Sequence, residues 1–317
     1  MMTRKSILFS RHFDRYSGGH QKVFDYFSHV NLSDSHSSAI SFTDDSIWNE
    51  TNPWYPKYQH THVPYLPDDY DQVFLAGTDW QRYLQASPSR EKPVVNLIQH
   101  VRHGDSGSNV FPFLEEKAIR VCVSQAVEEA ILNTGCVNGP TLTITNGIEI
   151  PSISNTKSID IYIAGLKNPL FADTLHRLLK DRQVLCQTES LPHSVFLDNI
   201  SRAKICVLLP HKTEGFFLPA LESMALADLT IVPDCVGNSG FCHDISLEPE
   251  IGNCLMPDYS IDSVLLAISS AEKILRDPVR WQQIYRNATD TVADHTLSNE
   301  RTNFQQLLHD IDDLWST

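Results

Sequence analysis

Short apolar runs rich in β-branched residues recur along the chain: KSILFS at 5–10, QVFLAG at 72–77, PVVNLIQ at 93–99, IRVCVS at 119–124, TLTIT at 141–145, IDIYIAG at 159–165, KICVLLP at 204–210 and LTIVPD at 229–234. Their apolar positions are consecutive rather than alternating, the pattern of strands buried on both faces of a parallel sheet. Between them the apolar spacing lengthens to that of amphipathic helices, over 19–29, 125–134, 172–181, 192–202, 219–227 and 261–275. Strand alternating with helix, twice over, predicts an α/β protein of two Rossmann-like, doubly wound domains.

A turn dipeptide, a proline and a polar cluster in NGIEIPSISNTKSID (146–160) mark the seam. The expected division is a first domain over 1–150 and a second over 151–317. The tail from 277 to 315 stays helical in pattern, with a break around 295–299, and is too long for a loop. It is expected to pack back towards the N-terminal lobe. The stretch 48–71, dense in proline and aromatics, reads as irregular: a covering loop in one reading, a lid that contacts an acceptor in another.

With 317 residues the chain has room for about two domains of ordinary size. The net charge of −14 would repel a phosphate backbone, so nucleic acid is a disfavoured partner. The basic start is followed by too short an apolar run for a signal peptide, and no stretch approaches the roughly 20 apolar residues of a membrane span. A soluble, cytoplasmic protein is expected. The seven cysteines lack the paired spacing of a zinc or redox site. Cys235, Cys242, His243 and Cys254 stand near one another in sequence, but their gaps match no common metal pattern, so no metal is expected.

In open parallel sheets, ligands bind beyond the carboxyl ends of the strands, and several informative residues follow strands. Gly18 and Gly19 precede a helix after the first strand, where they would let the backbone approach an anion, although such a pair serves equally as a plain tight turn. No GxGxxG follows a strand, which argues against a dinucleotide oxidoreductase. His100 ends the strand over 93–99, and Lys167 follows the strand over 159–165, in reach of a phosphate. The loop HKTEGFFL (211–218) crosses the end of the strand over 204–210, and Pro219 suits a first helical turn. Glu222 is then expected on that first turn, so that Glu214 and Glu222 flank a set of backbone amides. Carboxylates accept hydrogen bonds from sugar hydroxyls, while amides and a helix N-terminus hold phosphate. The pattern suits a sugar, a diphosphate and a ribose in line.

The run EGFFLPALESMALAD (214–228) resembles the E-x7-E signature of GT-B glycosyltransferases of the glycosyltransferase-4-like group, usually EGFG-x-P-x-x-EAMA-x-G. Gly18–Gly19 matches that group's N-terminal glycine loop, and IRVCVSQAVEEAILNTG (119–135) a segment ending in a serine and a helix. ITNGIEI (144–150) is similar to its hinge, and IGNCLMPDYSIDSVLLAI (251–268) to its closing segment. The resemblance implies two Rossmann-like domains facing a cleft and transfer of a sugar from a nucleoside-diphosphate sugar, with retention and without a metal.

By that resemblance Glu214 would touch the donor sugar, His100 would lie beside the transferred sugar, and Glu222 would hold the ribose hydroxyls. Gly18, Gly19, Lys167 and the backbone of Gly215, Phe216, Phe217 and Leu218 would hold the diphosphate. The group's arginine after the strand-end glycine is Leu166 here, and the second glycine of EGFG is Phe217. Phosphate binding therefore rests more heavily on Lys167 and the amides. The acceptor (a glycan, lipid-linked, small-molecule or nucleic-acid hydroxyl) carries no motif.

Rival readings are a catalytically idle sugar-nucleotide-binding subunit, a phage-type DNA base glycosyltransferase, a nucleotide-sugar epimerase on the same scaffold, and a metal-dependent GT-A enzyme. The last would need an Asp-x-Asp at a strand end, but DYD (69–71) precedes its strand and sits at the wrong edge.

Overall fold

The consecutive apolar runs become two parallel sheets in a computed structural model that describes residues 4–153 and 156–316. Ser154 and Asn155, inside the expected seam, lie outside the described residues. Two units result, Met1–Asn146 with Leu297–Thr317, and Gly147–Thr296. The sequence assigns 297–317 to the second domain; the structure places them in unit 1.

Unit 1 contains β1 (Lys5–Arg11), α1 (Gly18–Asn31), β2 (His36–Phe42), β3 (Gln72–Ala76), α2 (Asp79–Gln85), β4 (Val94–Ile98), β5 (Ile119–Cys122), α3 (Gln125–Leu132) and β6 (Thr141–Thr143). The sheet order is β2-β1-β3-β4-β5-β6, with every pairing parallel. The chain first moves from β1 to β2 and then crosses to the other side for β3. The switch point of the topology therefore lies between β1 and β3. Helix starts are set by hydroxyl caps: Ser17 accepts from the His20 amide and Ser124 from the Val127 amide, each at 3.3 Å.

The irregular stretch 48–71 carries two short 3-10 turns, Gln59–Thr61 and Pro67–Asp69, and works as a cover. Trp54 is fully buried, edge-on to Phe24, Phe27 and Phe42. Asp71, of the discounted DYD triplet, accepts from the Ser6 amide at 2.7 Å and the Ser6 hydroxyl at 2.8 Å, ahead of β3 and in a structural role.

Unit 2 contains β7 (Ile159–Ala164), α4 (Pro169–Leu178), β8 (Val184–Gln187), α5 (His193–Arg202), β9 (Ala203–Leu208), α6 (Leu218–Leu226), β10 (Leu229–Ile231), α7 (Ile261–Ile274) and α8 (Pro278–Asp294). Its sheet order is β10-β9-β7-β8, again parallel, so its switch point lies between β7 and β9. One face of this sheet packs on α4 and α7 through Ile163, Leu175, Val207 and Ile268, the other on α5 and α6 through Tyr162, Ile200, Cys206 and Leu221.

The helical tail breaks where the sequence places a break, and its second half, α9 (Leu297–Ser316), packs on α1 in unit 1. Glu300 of α9 is buried and meets Lys22 Nζ at 2.6 Å and His29 Nε2 at 3.0 Å, while Lys22 also reaches Asp25 at 2.8 Å. Phe304 packs edge-on against Tyr26 one turn later. Burial disfavours each charge, but Lys22 shared between two carboxylates is held above the ordinary lysine range. Glu300 faces burial first, yet the Lys22 charge and the hydrogen bonds from His29 and Lys22 bring it below the usual carboxylate range. Asp25, with Glu300 as a like-charged neighbour, is pushed up by burial.

Candidate functional site

In unit 2 the loops after β7, β8, β9 and β10 all leave the carboxyl edge of the sheet. Gly165 follows β7, and a Cβ there would meet the Ala172 Cβ at 2.1 Å, so glycine lets α4 close against the strand end. Lys167 comes next, with Asn168 capping α4 by accepting from the Phe171 amide at 3.4 Å. After β9 the chain runs through Pro210 into the loop that carries Glu214. Across the switch point Lys167 Nζ lies 3.2 Å from Glu214 Oε1. The lysine side chain is half exposed and the glutamate mostly covered.

The 211–217 loop is held against the turn after β10. Val236 donates its amide to the Lys212 carbonyl at 3.1 Å, and Phe217 donates its own to the Gly237 carbonyl at 3.0 Å. A Cβ on Gly237 would stand 2.8 Å from the Phe216 nitrogen and 2.9 Å from the Glu214 oxygen, which requires glycine at this contact. Phe216 stacks on Phe241 with 5.0 Å between ring centroids, and both rings lie near His295. The turn itself is tied down by the fully buried Asn238, whose Oδ1 accepts from the Cys235 amide at 3.0 Å and whose Nδ2 donates to the Pro233 carbonyl at 3.2 Å.

Helix α6 begins at Leu218, with Pro219 in its first turn. Glu222 is therefore the fifth helical residue and sits on the second turn, not the first as its sequence position suggests, because the helix starts one residue earlier than the proline. Its side chain is buried, and Oε1 lies 2.6 Å from Nε2 of His193, the first residue of α5. Among the described residues Oε2 has no hydrogen-bond partner.

Not all amides flanked by the two glutamates are open. Glu214 donates to the His211 carbonyl at 3.1 Å, Phe217 to Gly237, and Ala220 to Phe217 at 3.0 Å. Pro219 has no N–H. Among the described residues the amides of Phe216 and Leu218 make no hydrogen bond, and these two, with Lys167, are the donors an anion would find here.

The departures at Phe217 and Leu166 differ in their surroundings. Phe217 adopts φ −96° and is buried in the core, so no glycine conformation is needed at that point. Asp228, past the end of α6, faces Lys157 at 3.5 Å, and its carbonyl accepts from Trp281 Nε1 at 3.1 Å. Leu166, at the position where the resembling group has an arginine, is an exposed apolar side chain. In the Cys235, Cys242, His243, Cys254 grouping His243 Nδ1 turns to Glu248 at 2.8 Å, and among the described residues no group of three or more His, Cys, Asp or Glu side chains is placed to hold an ion.

The structure brings Lys167 together with Glu214 and sets Glu222 on His193; the remaining expected site residues, Gly18, Gly19 and His100, are in unit 1. Gly18 and Gly19 open α1, and the Gly19 carbonyl accepts from Gln99 Nε2 at 3.3 Å. His100 follows β4 and caps a 3-10 turn, its Nδ1 accepting from the Arg102 amide at 3.0 Å.

At the switch point of this sheet Arg11 donates through Nε to His20 Nδ1 at 3.0 Å and pairs with Asp79 at 2.9 Å. Burial, helped by the Arg11 charge, lowers His20 to about 4, so its ring is neutral near neutral pH. Sequence reasoning missed His193, Gly237, Gln99 and this Arg11–His20–Asp79 group. A signal existed for Gly237 in the strand-end run DCVGNSG (234–240); His193 carries none, because only the packing of α5 on α6 brings it to Glu222.

No family model matches the sequence, and no curated protein matches it. Solved structures do. The chain is similar to a sucrose-phosphate synthase from Thermosynechococcus elongatus, at 15% identity and a TM-score of 0.67, over 98% of this chain and 100% of that one. It is similar also to HepE of Anabaena in complex with UDP-glucose, at 12% identity and a TM-score of 0.68, over 96% and 100% of the two chains. A glycosyltransferase from Rickettsia africae matches at 12% identity with a TM-score of 0.68, over 97% and 98%. At such identities the likeness is one of fold: the chain has the two-unit α/β fold of GT-B glycosyltransferases. No described helix is long and apolar enough to cross a membrane.

Proposed function

We propose that this GT-B chain is a glycosyltransferase that takes a sugar from a nucleoside-diphosphate sugar bound at the carboxyl edge of the unit 2 sheet. One observation carries the reading: the Lys167–Glu214 pair spans the switch point between β7 and β9, where open α/β sheets bind ligands, with Glu222 one helix turn away from the open Leu218 amide. The HepE complex with UDP-glucose supports the choice of ligand class.

The lysine end of the pair is half exposed, and such pairs contribute only ~0–1 kcal/mol. Lys167 can therefore exchange Glu214 for a diphosphate at little cost, which also frees the Glu214 carboxylate to accept from a sugar hydroxyl. Oε2 of Glu222 then accepts from ribose. As the bond from the anomeric carbon to the diphosphate breaks, negative charge grows on the leaving group. Lys167 and the Phe216 and Leu218 amides oppose it from fixed positions, and removal of one such donor typically costs about 10²–10³ in rate. The mechanism needs no metal, and retention of configuration is part of the proposal.

Thermal-shift screening with UDP-, GDP-, ADP- and TDP-sugars tests binding, and release of free sugar tests chemistry. A donor that raises the melting temperature and is slowly hydrolysed by the wild type, but not by Glu214→Ala, is the expected result. A chain that no nucleotide sugar stabilises would end the reading. The exposed Leu166, one cation fewer at the anion site, favours a second reading as an idle sugar-nucleotide binder. Tight binding without turnover on any acceptor would support it.

A further inference from the structure

His193 opens α5 directly after Pro192, whose ring fixes φ at −54° and so the entry of the chain into the helix. Its imidazole stacks on Phe196 one turn on, with 6.4 Å between centroids and 22° between planes, and Phe196 in turn rests on the buried Tyr162 at 6.1 Å. Nε2 of this held ring donates to Glu222 Oε1 at 2.6 Å, and it can do so whether the ring is neutral or charged. A glutamate has three side-chain torsions to lose on being fixed. A short bond from a ring that is itself packed removes much of that freedom before any ligand arrives. The buried carboxylate keeps Oε2 with no partner among the described residues.

We propose that His193 is the positioning residue for nucleoside recognition: by holding Oε1 it presents the Glu222 carboxylate to a vicinal diol and makes the site select ribonucleoside over 2′-deoxyribonucleoside diphosphates. The inference rests on the donor reading above and adds to it the sugar of the nucleotide. A diol supplies two O–H donors to a carboxylate whose direction is already set. A 2′-deoxyribose supplies one and leaves acceptor capacity unpaired in a buried place, which a site built on hydrogen bonds rejects.

Isothermal titration with UDP, GDP and ADP, each against its 2′-deoxy counterpart, and with inorganic pyrophosphate tests the assignment on the wild type, His193→Ala and His193→Gln. The wild type is expected to bind its best ribonucleotide about tenfold or more tightly than the 2′-deoxy form. His193→Ala loses that preference while its pyrophosphate affinity stays the same, and His193→Gln, which can still offer an N–H, recovers most of it. A preference retained in His193→Ala overturns the inference and leaves the donor reading intact, as does an equal loss for ribonucleotide, 2′-deoxynucleotide and pyrophosphate. A wild type that binds none of the nucleotides overturns both.

Discussion

Replacing Lys22 by methionine should be among the most destabilising single changes in unit 1. Its ammonium stands 2.8 Å from Asp25 and 2.6 Å from Glu300, and all three side chains are almost wholly shielded from water. At an effective dielectric constant near 20, each contact is on the order of 6 kcal/mol of attraction. Desolvation of the lysine, several kcal/mol, offsets part of this, and the orphaned carboxylates add their own penalty, so the net loss is about 3–5 kcal/mol. That is a large share of the ~5–15 kcal/mol that holds an ordinary domain folded.

Urea denaturation followed by tryptophan fluorescence reads this unit well, because Trp54 and Trp80 are buried in its core. Lys22→Met should lower the urea midpoint strongly, and Lys22→Met/Glu300→Met should recover part of the loss, since one stranded carboxylate is then gone. The sign with pH follows from the raised lysine: the stabilisation is complete below its unfolded pKa and disappears as pH climbs through the still higher folded value. A loss under about 1 kcal/mol for Lys22→Met, or a double variant weaker than the lysine variant alone, would refute the reasoning.

Glu222→Ala should weaken binding of the free nucleoside diphosphate by about tenfold while leaving pyrophosphate affinity unchanged, and unchanged nucleotide affinity would remove its ribose role. Lys167→Ala should weaken the diphosphate more than the nucleoside, and equal losses by calorimetry would reject its phosphate role. Gly237→Ala places a methyl group against the Phe216 amide and the Glu214 carbonyl and should cost nucleotide affinity with a smaller change in melting temperature; an alanine variant that binds like the wild type would show the loop to be indifferent to that contact. Burial lowers His103 to about 4, so the unfolded chain takes up its proton first, and stability on the order of 3 kcal/mol is lost as pH falls from about 6.5 towards 4. His103→Gln should flatten that part of the stability curve.

The sequence pattern finds the central strands because they are buried on both faces; of the four edge strands it finds β6 and β10 and passes over β2 and β8. The strands it misses, β2 and β8, are the outermost of their sheets, where HSSAISF and VLCQ mix polar with apolar residues because one side meets less protein. The seven-residue α2 is too short to show a helical period. Lys167 and Glu214 are legible as strand-end residues, since topology alone places them at one edge. Which partners they choose is not: the Lys167–Glu214 bridge and the His193–Glu222 bond depend on how loops and helices pack, and the Phe217 amide, read as open, is already given to Gly237. The buried Lys22 looks in sequence like any solvated lysine, because its second carboxylate comes from 278 residues further along.

That distant carboxylate has a consequence for biogenesis. Unit 2 is one uninterrupted stretch of chain, while the first unit is written in two instalments, the second of them α9. On a ribosome, which delivers the chain from its amino end, the middle portion can therefore mature while the earlier portion still waits for its last helix. Until then Lys22 lacks Glu300, and the surface that Phe304 later covers is open to chaperones or to mispairing. Premature stops ahead of or within α9 would thus be felt in the portion made first.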